Sequence, residues 1–422
     1  VCPDAAGVSQ RGIRVRKNIF VYIFVCLIAA LIFTAGCGGG HIAPASSSAS
    51  GSSSGSGSAS GVSFASNFTA GIAHVAGNYG FTQQNFLMEG AQKISELGSD
   101  SIFVYLTPSF RTQYPDQSSN SWPAQTPANV TMLAQSKPYE KVFNLPFKTV
   151  VLSTFTFANN DHVQGMAASP DRQQAEEAEF YQLAKYLYSH FGGSGKTFVL
   201  KNWEGDWVGL GQGNTTGNIS ENTVQDMIAW LSARQRGVTR ARNEAGGSSG
   251  VRVFNAVEVN RVLDYAKDGM TRVINAVVPK VKADMVTYSS YDSTTIASNQ
   301  QGVQDALTQA LHTIEKLTPD PLGLGNRRIL ISEYGLYENQ LVGPAWRSEA
   351  VLKTASNEGI YGAFLWNLFD NECAQPNGQA APVDVAQGQP LRPKNAECRG
   401  LWIVRPDGST SPVLAVLQKY WQ

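Results

Sequence analysis

Charge is scarce in this chain. Only 16% of its 422 residues are Asp, Glu, Lys or Arg, below the roughly 25% usual for soluble domains, and 33 basic side chains balance 33 acidic ones. Residues 1–36 hold Arg11, Arg14, Arg16, Lys17 and Asp4; setting them aside leaves 29 basic against 32 acidic groups. With no basic excess to neutralise phosphates, the composition argues against an electrostatic nucleic-acid partner. Cysteine is sparse too: there are five, with no CxxC or HxxxH spacing of the kind that holds zinc. The glycine-rich turn of a dinucleotide-binding sheet is also missing. Hydrophobic residues make up 42% and aromatics 10%, which excludes disorder for most of the length. Beyond residue 61 about 360 residues remain, enough for one large barrel or two smaller domains.

The N-terminal region reads as a leader and a tether. Residues 11–17 (RGIRVRK) are basic, 19–33 (IFVYIFVCLIAALIF) are apolar throughout, and Thr34-Ala35-Gly36-Cys37 follows. That order describes a secretory signal over residues 1–36. The Cys after Ala-Gly resembles a bacterial lipoprotein lipobox, with Thr34 in place of the usual aliphatic residue. The resemblance implies lipidation at Cys37, with Gly38 after it favouring the outer membrane. A retained signal anchor is the alternative, but the run is short for a span of about 20 residues. Residues 37–61 continue as a spacer of Gly, Ser and Ala that cannot bury apolar surface. The expected location is therefore the cell envelope, exported, with the membrane met only through the lipid. Cys2 and Cys26 leave with the leader, so Cys373 and Cys398 remain to pair in an oxidising space, with metal binding the weaker reading.

Residues 62–422 alternate short apolar runs with helical patterns. Strands are expected at 71–76, 101–107, 148–157, 196–203, 251–259, 283–291, 327–335 and 361–369, nearly continuous in Val, Ile, Phe and Leu as strands buried on both faces should be. Helices are expected at 172–190, 221–245, 261–281, 300–317 and 345–358, with a closing helix at 412–420. Eight strands, each followed by a helix or long excursion, make an α/β fold of the (β/α)₈ TIM-barrel type; a doubly wound open sheet is the competitor. Gly192–Thr197 (GGSGKT) imitates the end of a phosphate-binding loop, but it follows a helix and precedes a strand, so it reads as a turn.

In a barrel the chemistry sits at the C-terminal ends of the strands. The fourth run ends LKNWEGDW (200–207) and the seventh ISEYG (331–335), each leading a carboxylate out of an apolar strand. Two facing carboxylates suit glycosidic cleavage, one protonating the leaving oxygen and the other attacking the anomeric carbon. With these motifs the chain resembles the clan A glycoside hydrolases, the retaining (β/α)₈ superfamily, over about residues 70–422. Ile331-Ser332-Glu333-Tyr334-Gly335 is similar to the clan's nucleophile motif, Glu204 matches the acid/base position, and Gly362–Trp366 (GAFLW) is similar to the clan's last strand. The resemblance implies Glu333 as nucleophile, Glu204 as acid/base, and Trp366 stacking on the sugar. Gly400-Leu401-Trp402 and Pro406-Asp407-Gly408 are similar to the passage into the clan's last helix.

The sequence departs from the clan before the acid/base residue, where Asn is usual and Trp203 stands instead. Asn202, two before Glu204, shares its face if the strand continues, so Asn202 and Trp203 are carried as substrate-facing residues. Asp206 is a rival acid. At the sixth strand end the clan often has His-x-Tyr. Here Ser289 replaces the His, and Tyr291 is the expected partner of the nucleophile, with Tyr288, or neither tyrosine, as the alternative. Glu258 and Asn260, ending the fifth run, are expected either to line subsites or to be structural, and Trp366 is either a sugar platform or core. His74, Asn159, Asn160 and His162 sit at strand ends 1 and 3 and read as loop residues rather than ligands. Tyr114, Trp122 and Tyr139 lie in a long excursion (108–146) that either walls the cleft or packs. The expected function is a retaining glycosidase on a β-linked poly- or oligosaccharide, with no metal and no organic cofactor. A noncatalytic glycan-binding lipoprotein is the alternative, and a transglycosylase is a variant of the same site.

Overall fold

The computed structural model describes residues 68–116, 120–247, 249–374 and 392–421. The expected leader, Cys37 and the spacer lie outside the described residues. Among the described residues no helix is long and apolar enough to cross a membrane.

Eight parallel strands close into a barrel in chain order: β1 (Thr69–Ala73), β2 (Ser101–Leu106), β3 (Thr149–Thr154), β4 (Thr197–Lys201), β5 (Arg252–Val259), β6 (Met285–Ser289), β7 (Ile329–Gly335) and β8 (Gly362–Trp366), with β8 pairing back onto β1. All eight expected runs are strands; seven are trimmed by one to several residues where the chain turns into a loop, and β1 instead begins two residues earlier and ends three earlier than expected. The unbroken apolar character of these runs reflects burial on both faces, by the barrel interior and by the surrounding helices. The doubly wound sheet is thereby excluded.

The helices follow the apolar periodicity and start where the sequence supplies caps. Asn85 accepts from the Leu87 amide, Ser220 from Thr223 and Asn299 from Gly302, while Pro170 and Pro344 occupy first turns. The helix expected over 261–281 is instead three short ones, Val262–Asp268, Val273–Ala276 and Val278–Val281. Gly269 takes the left-handed conformation that ends the first of them, and Pro279 opens the third. Gly192–Gly195 is a turn between a helix and β4, as expected. At the chain's end, helix Val413–Gln418 is followed by Trp421, whose indole N–H donates to the carbonyl of Ala70 in β1.

Register decides which side chains look inward. Tyr105, Ser153 and Lys201 are lateral neighbours on β2, β3 and β4, and Glu258 lies opposite Thr287 on β5 and β6. β7 breaks the pattern. Between its pairings Thr287–Leu330 and Ser289–Glu333 it holds one residue more than β6, and between Ile331–Ala363 and Tyr334–Leu365 one more than β8. This bulge at Ser332 and Glu333 turns two consecutive side chains toward the interior, where regular alternation would admit only one.

Candidate active site

Glu333 leaves the bulge on β7, and Glu204 stands three residues past the end of β4. Ser289 Oγ joins them: it donates to Glu204 Oε1 at 2.6 Å and lies 3.5 Å from Glu333 Oε2. One hydroxyl thus bridges the two carboxyls. Glu204 is 7% exposed and Glu333 3%. Both side chains are therefore buried, at the C-terminal ends of β4 and β7.

Glu204 has a positive φ of 21°, unusual for a side chain with a Cβ, and such conformations cost on the order of 1–3 kcal/mol. Its amide donates to Glu258 Oε2 at 2.6 Å, which holds the turn in place. Burial pushes the Glu204 carboxyl from 4.5 up to about 8; the Ser289 hydroxyl and Lys201 oppose the rise, while the charges of Glu258 and Asp206 add to it. Glu204 is therefore an acid that keeps its proton near neutrality.

Lys201, at the inward end of β4, is wholly buried and is the residue that sequence reasoning missed. Its Nζ lies 2.5 Å from Glu258 Oε1 and 3.3 Å from Glu333 Oε1, with the ring of Phe103 4.4 Å beneath it. Glu258 also accepts from the Ser332 hydroxyl. Burial drives the Glu333 carboxyl well above 4.5, the Lys201 ammonium is the largest influence opposing the rise, and the charges of Glu258 and Glu204 add to it. The signal for Lys201 was a cation ending an otherwise apolar strand beside one that carries a buried acid.

Several expected substrate contacts are instead tied to the scaffold. Asn202 does not share the cleft face of Glu204: its Oδ1 accepts from the Glu258 amide and its Nδ2 donates to the Trp203 carbonyl. The two-residue periodicity fails because β4 ends at Lys201, before Asn202. Asp206 is no rival acid. It is fully buried, and its carboxylate accepts from the amides of Asn260, Arg261 and Val273. The Asp206 amide in turn donates to Asn260 Oδ1, so the pair clamps the two loops. Glu258, with its oxygens engaged and no exposure, is internal support rather than a subsite wall. Trp203 is half-buried.

Trp366 is 4% exposed, with its ring beside Phe103 and Tyr105 and its indole N–H bonded to Asn371 Oδ1. It lines the inner wall more than it forms an open platform. Tyr288 is hydrogen-bonded to Asp292 and Ser293, so of the two expected tyrosines it is Tyr291 that lies near Glu333. No hydrogen bond joins Tyr291 to Glu333 among the described residues; Ser289 makes that approach instead. Tyr114 and Tyr139 pack rather than wall a cleft. The Tyr114 hydroxyl accepts from the Tyr105 amide, and Tyr139 donates to the Tyr105 carbonyl. Trp122 is buried and donates to the Tyr114 carbonyl. His74 is buried too, its Nε2 bonded to the Phe86 carbonyl, and burial lowers its pKa to about 4. Asn159 bonds Glu176 and the carbonyl of Arg172.

Cys373 and Cys398 form a disulfide. The neighbouring carboxylate of Asp370 accepts from the amides of Glu372, Gly400 and Leu401, so the cluster holds a loop rather than a metal. Residues 375–391 of the loop that the bridge closes lie outside the described residues.

The closed barrel is the fold that the clan A resemblance implies. No protein-family model matches the sequence, and no curated protein matches it. Among solved structures the chain is similar to a Bacteroides uniformis β-glucuronidase, with 11% identity and a TM-score of 0.47 over 85% of this chain and 35% of that one. The chain thus spans about a third of that protein's length. It is also similar to GH5_18 from Streptomyces cattleya in complex with GlcNAc (14% identity, TM-score 0.48, 85% of this chain and 81% of that one). A third is a Bacteroidetes-affiliated GH5 cellulase linked with a polysaccharide utilization locus (15% identity, TM-score 0.44, 84% and 95%).

Proposed function

We propose that this chain is a retaining glycoside hydrolase of clan A that cleaves β-linked poly- or oligosaccharides, exported and tethered by a lipid at Cys37. The observation that carries the reading is the pair of buried carboxyls on opposite sides of one serine hydroxyl, each in a different electrostatic setting. Glu333 lies against a buried ammonium and Glu204 does not. Environments that separate two carboxyls in this way assign the roles of acid and nucleophile.

In the first step a Glu333 carboxylate oxygen attacks the anomeric carbon. The glycosidic C–O bond breaks as the Glu204 proton passes to the leaving oxygen, giving a glycosyl ester on Glu333. Lys201 then faces a neutral ester, and the new Glu204 carboxylate receives the Ser289 hydrogen bond. In the second step Glu204 takes a proton from water, whose oxygen attacks the anomeric carbon and releases Glu333 as carboxylate. Every proton in the cycle is carried by Glu204, whose elevated pKa suits both roles near neutral pH.

The test is incubation of the protein with β-glucans, mannans, xylans and galactans, reading reducing ends and product size, with Glu333→Gln alongside. Release of sugar that collapses in the variant supports the hydrolase. Binding of one glycan to both proteins with no release rejects it.

A further inference from the structure

We infer that Lys201 is the positioning residue that sets the two catalytic carboxyls apart: its ammonium, fixed by Glu258, favours the ionised form of Glu333 over that of Glu204. The inference rests on the glycosidase reading for its consequence in turnover, but not for its effect on the carboxyls.

Glu333 is approached by Lys201 from β4, Glu204 from the turn after it, Glu258 from β5, Tyr291 from the segment after β6 and Tyr105 from β2. Of these only Lys201 carries positive charge, and among the described residues it is the one cation paired with Glu333 or Glu258. Burial and mutual repulsion disfavour ionising Glu204 and Glu333 together. Geometry separates them. Glu258 takes the shortest contact with Lys201 and accepts two further hydrogen bonds, from Ser332 and from the Glu204 amide. Glu333 takes the second contact. Glu204 has no cation partner, only the neutral hydroxyl of Ser289.

Glu258 also connects the two halves of the site. One of its oxygens anchors the ammonium beside the nucleophile, and the other holds the backbone of the acid. The β7 bulge is what admits Ser332 and Glu333 to this cluster together. Lys201 therefore acts through Glu333 without needing to touch the sugar.

The experiment is a carboxyl titration of the full chain grown with ¹³C-glutamate. Glu333 and Glu204 are assigned by Glu333→Gln and Glu204→Gln, and wild type is compared with Lys201→Met and Lys201→Arg. In Lys201→Met the Glu333 carboxyl should titrate about one pH unit or more higher, with a smaller rise at Glu204, because an opposite charge within 4–6 Å is worth that much. Lys201→Arg should return Glu333 toward wild type. If Lys201→Met fails to fold because Glu258 is left buried and unpaired, Lys201→Met with Glu258→Gln removes both charges. Glu333 should still rise there, by less, since Lys201 influences it more than Glu258 does. An unchanged Glu333 titration in the folded single or double variant overturns the proposal. The acid limb of kcat/KM should move up with the carboxyl. A shifted carboxyl in a protein that cleaves no glycan supports the electrostatic role and rejects the hydrolase. Glycan cleavage with an unmoved acid limb does the reverse.

Discussion

The hydroxyl of Ser289 stands 2.6 Å from an oxygen of Glu204 and donates a hydrogen bond to it. It stabilises the ionised form of Glu204 and so lowers that carboxyl's pKa. Ser289→Ala should therefore raise it and move the alkaline limb of kcat/KM to higher pH, from the neighbourhood of 8. The fall in kcat should be about tenfold, because one hydrogen bond to a charged group is lost. A pH–rate profile of the variant checks the direction; an alkaline limb that moves down contradicts the assignment.

Holding Glu204 in place costs stability. Its carboxyl titrates near 8 in the fold and near 4.5 free, so the folded state binds the proton more tightly and stability falls as pH rises from 4.5 to 8. Glu204→Gln removes that dependence. The variant should gain on wild type progressively across this window, by roughly 3 kcal/mol at pH 7, and show no such gain below pH 4.5. Urea denaturation at pH 4.5, 6 and 7.5 measures it. Activity on natural glycans should fall by about 10²–10⁴-fold in the same variant.

Gly335 controls the room beside Tyr291, which neighbours Glu333. A Cβ there would stand 2.4 Å from the Tyr291 ring and 2.9 Å from its hydroxyl. Gly335→Ala should therefore push Tyr291 away from Glu333, destabilising the fold by about 1–3 kcal/mol. It should also lower kcat/KM about a hundredfold, the scale on which displacements of an ångström act at such sites. Steady-state kinetics with a melting curve separates the two effects.

The Cys373–Cys398 bridge closes a segment with a sequence separation of 25 beside the Asp370 loop. By loop-closure entropy its removal should cost about 3 kcal/mol. Replacing both cysteines by serine should lower the melting temperature, and adding reductant to wild type should reproduce the loss. A double variant as stable as wild type contradicts the estimate.

The barrel was legible because its strands are uniformly apolar and its helices keep the 3.6-residue period. The segment 261–281 misled because the same period continues through Gly269 and Pro279, which break the helix locally. Glu204 and Glu333 stood out as carboxylates leaving apolar strands. Lys201 did not, since a lysine ending a strand usually reaches solvent; only barrel closure turns it inward against Glu258 and Glu333. The inward pairing of Ser332 with Glu333 depends on a bulge that alternation in sequence cannot reveal. Asp206 and Asn260 looked like cleft residues because their mutual clamp joins two loops far apart in the chain.

The central claim, a covalent intermediate on Glu333, is tested most directly with an activated 2-deoxy-2-fluoro-β-glycoside matched to the cleaved substrate. The fluorine slows both steps, and the good leaving group restores the first, so the intermediate accumulates. Intact-mass and peptide mass spectrometry should find one glycosyl unit on the peptide containing Glu333, and none in Glu333→Gln. Turnover of the natural glycan with inverted product and no adduct, or an adduct on another residue, contradicts the account.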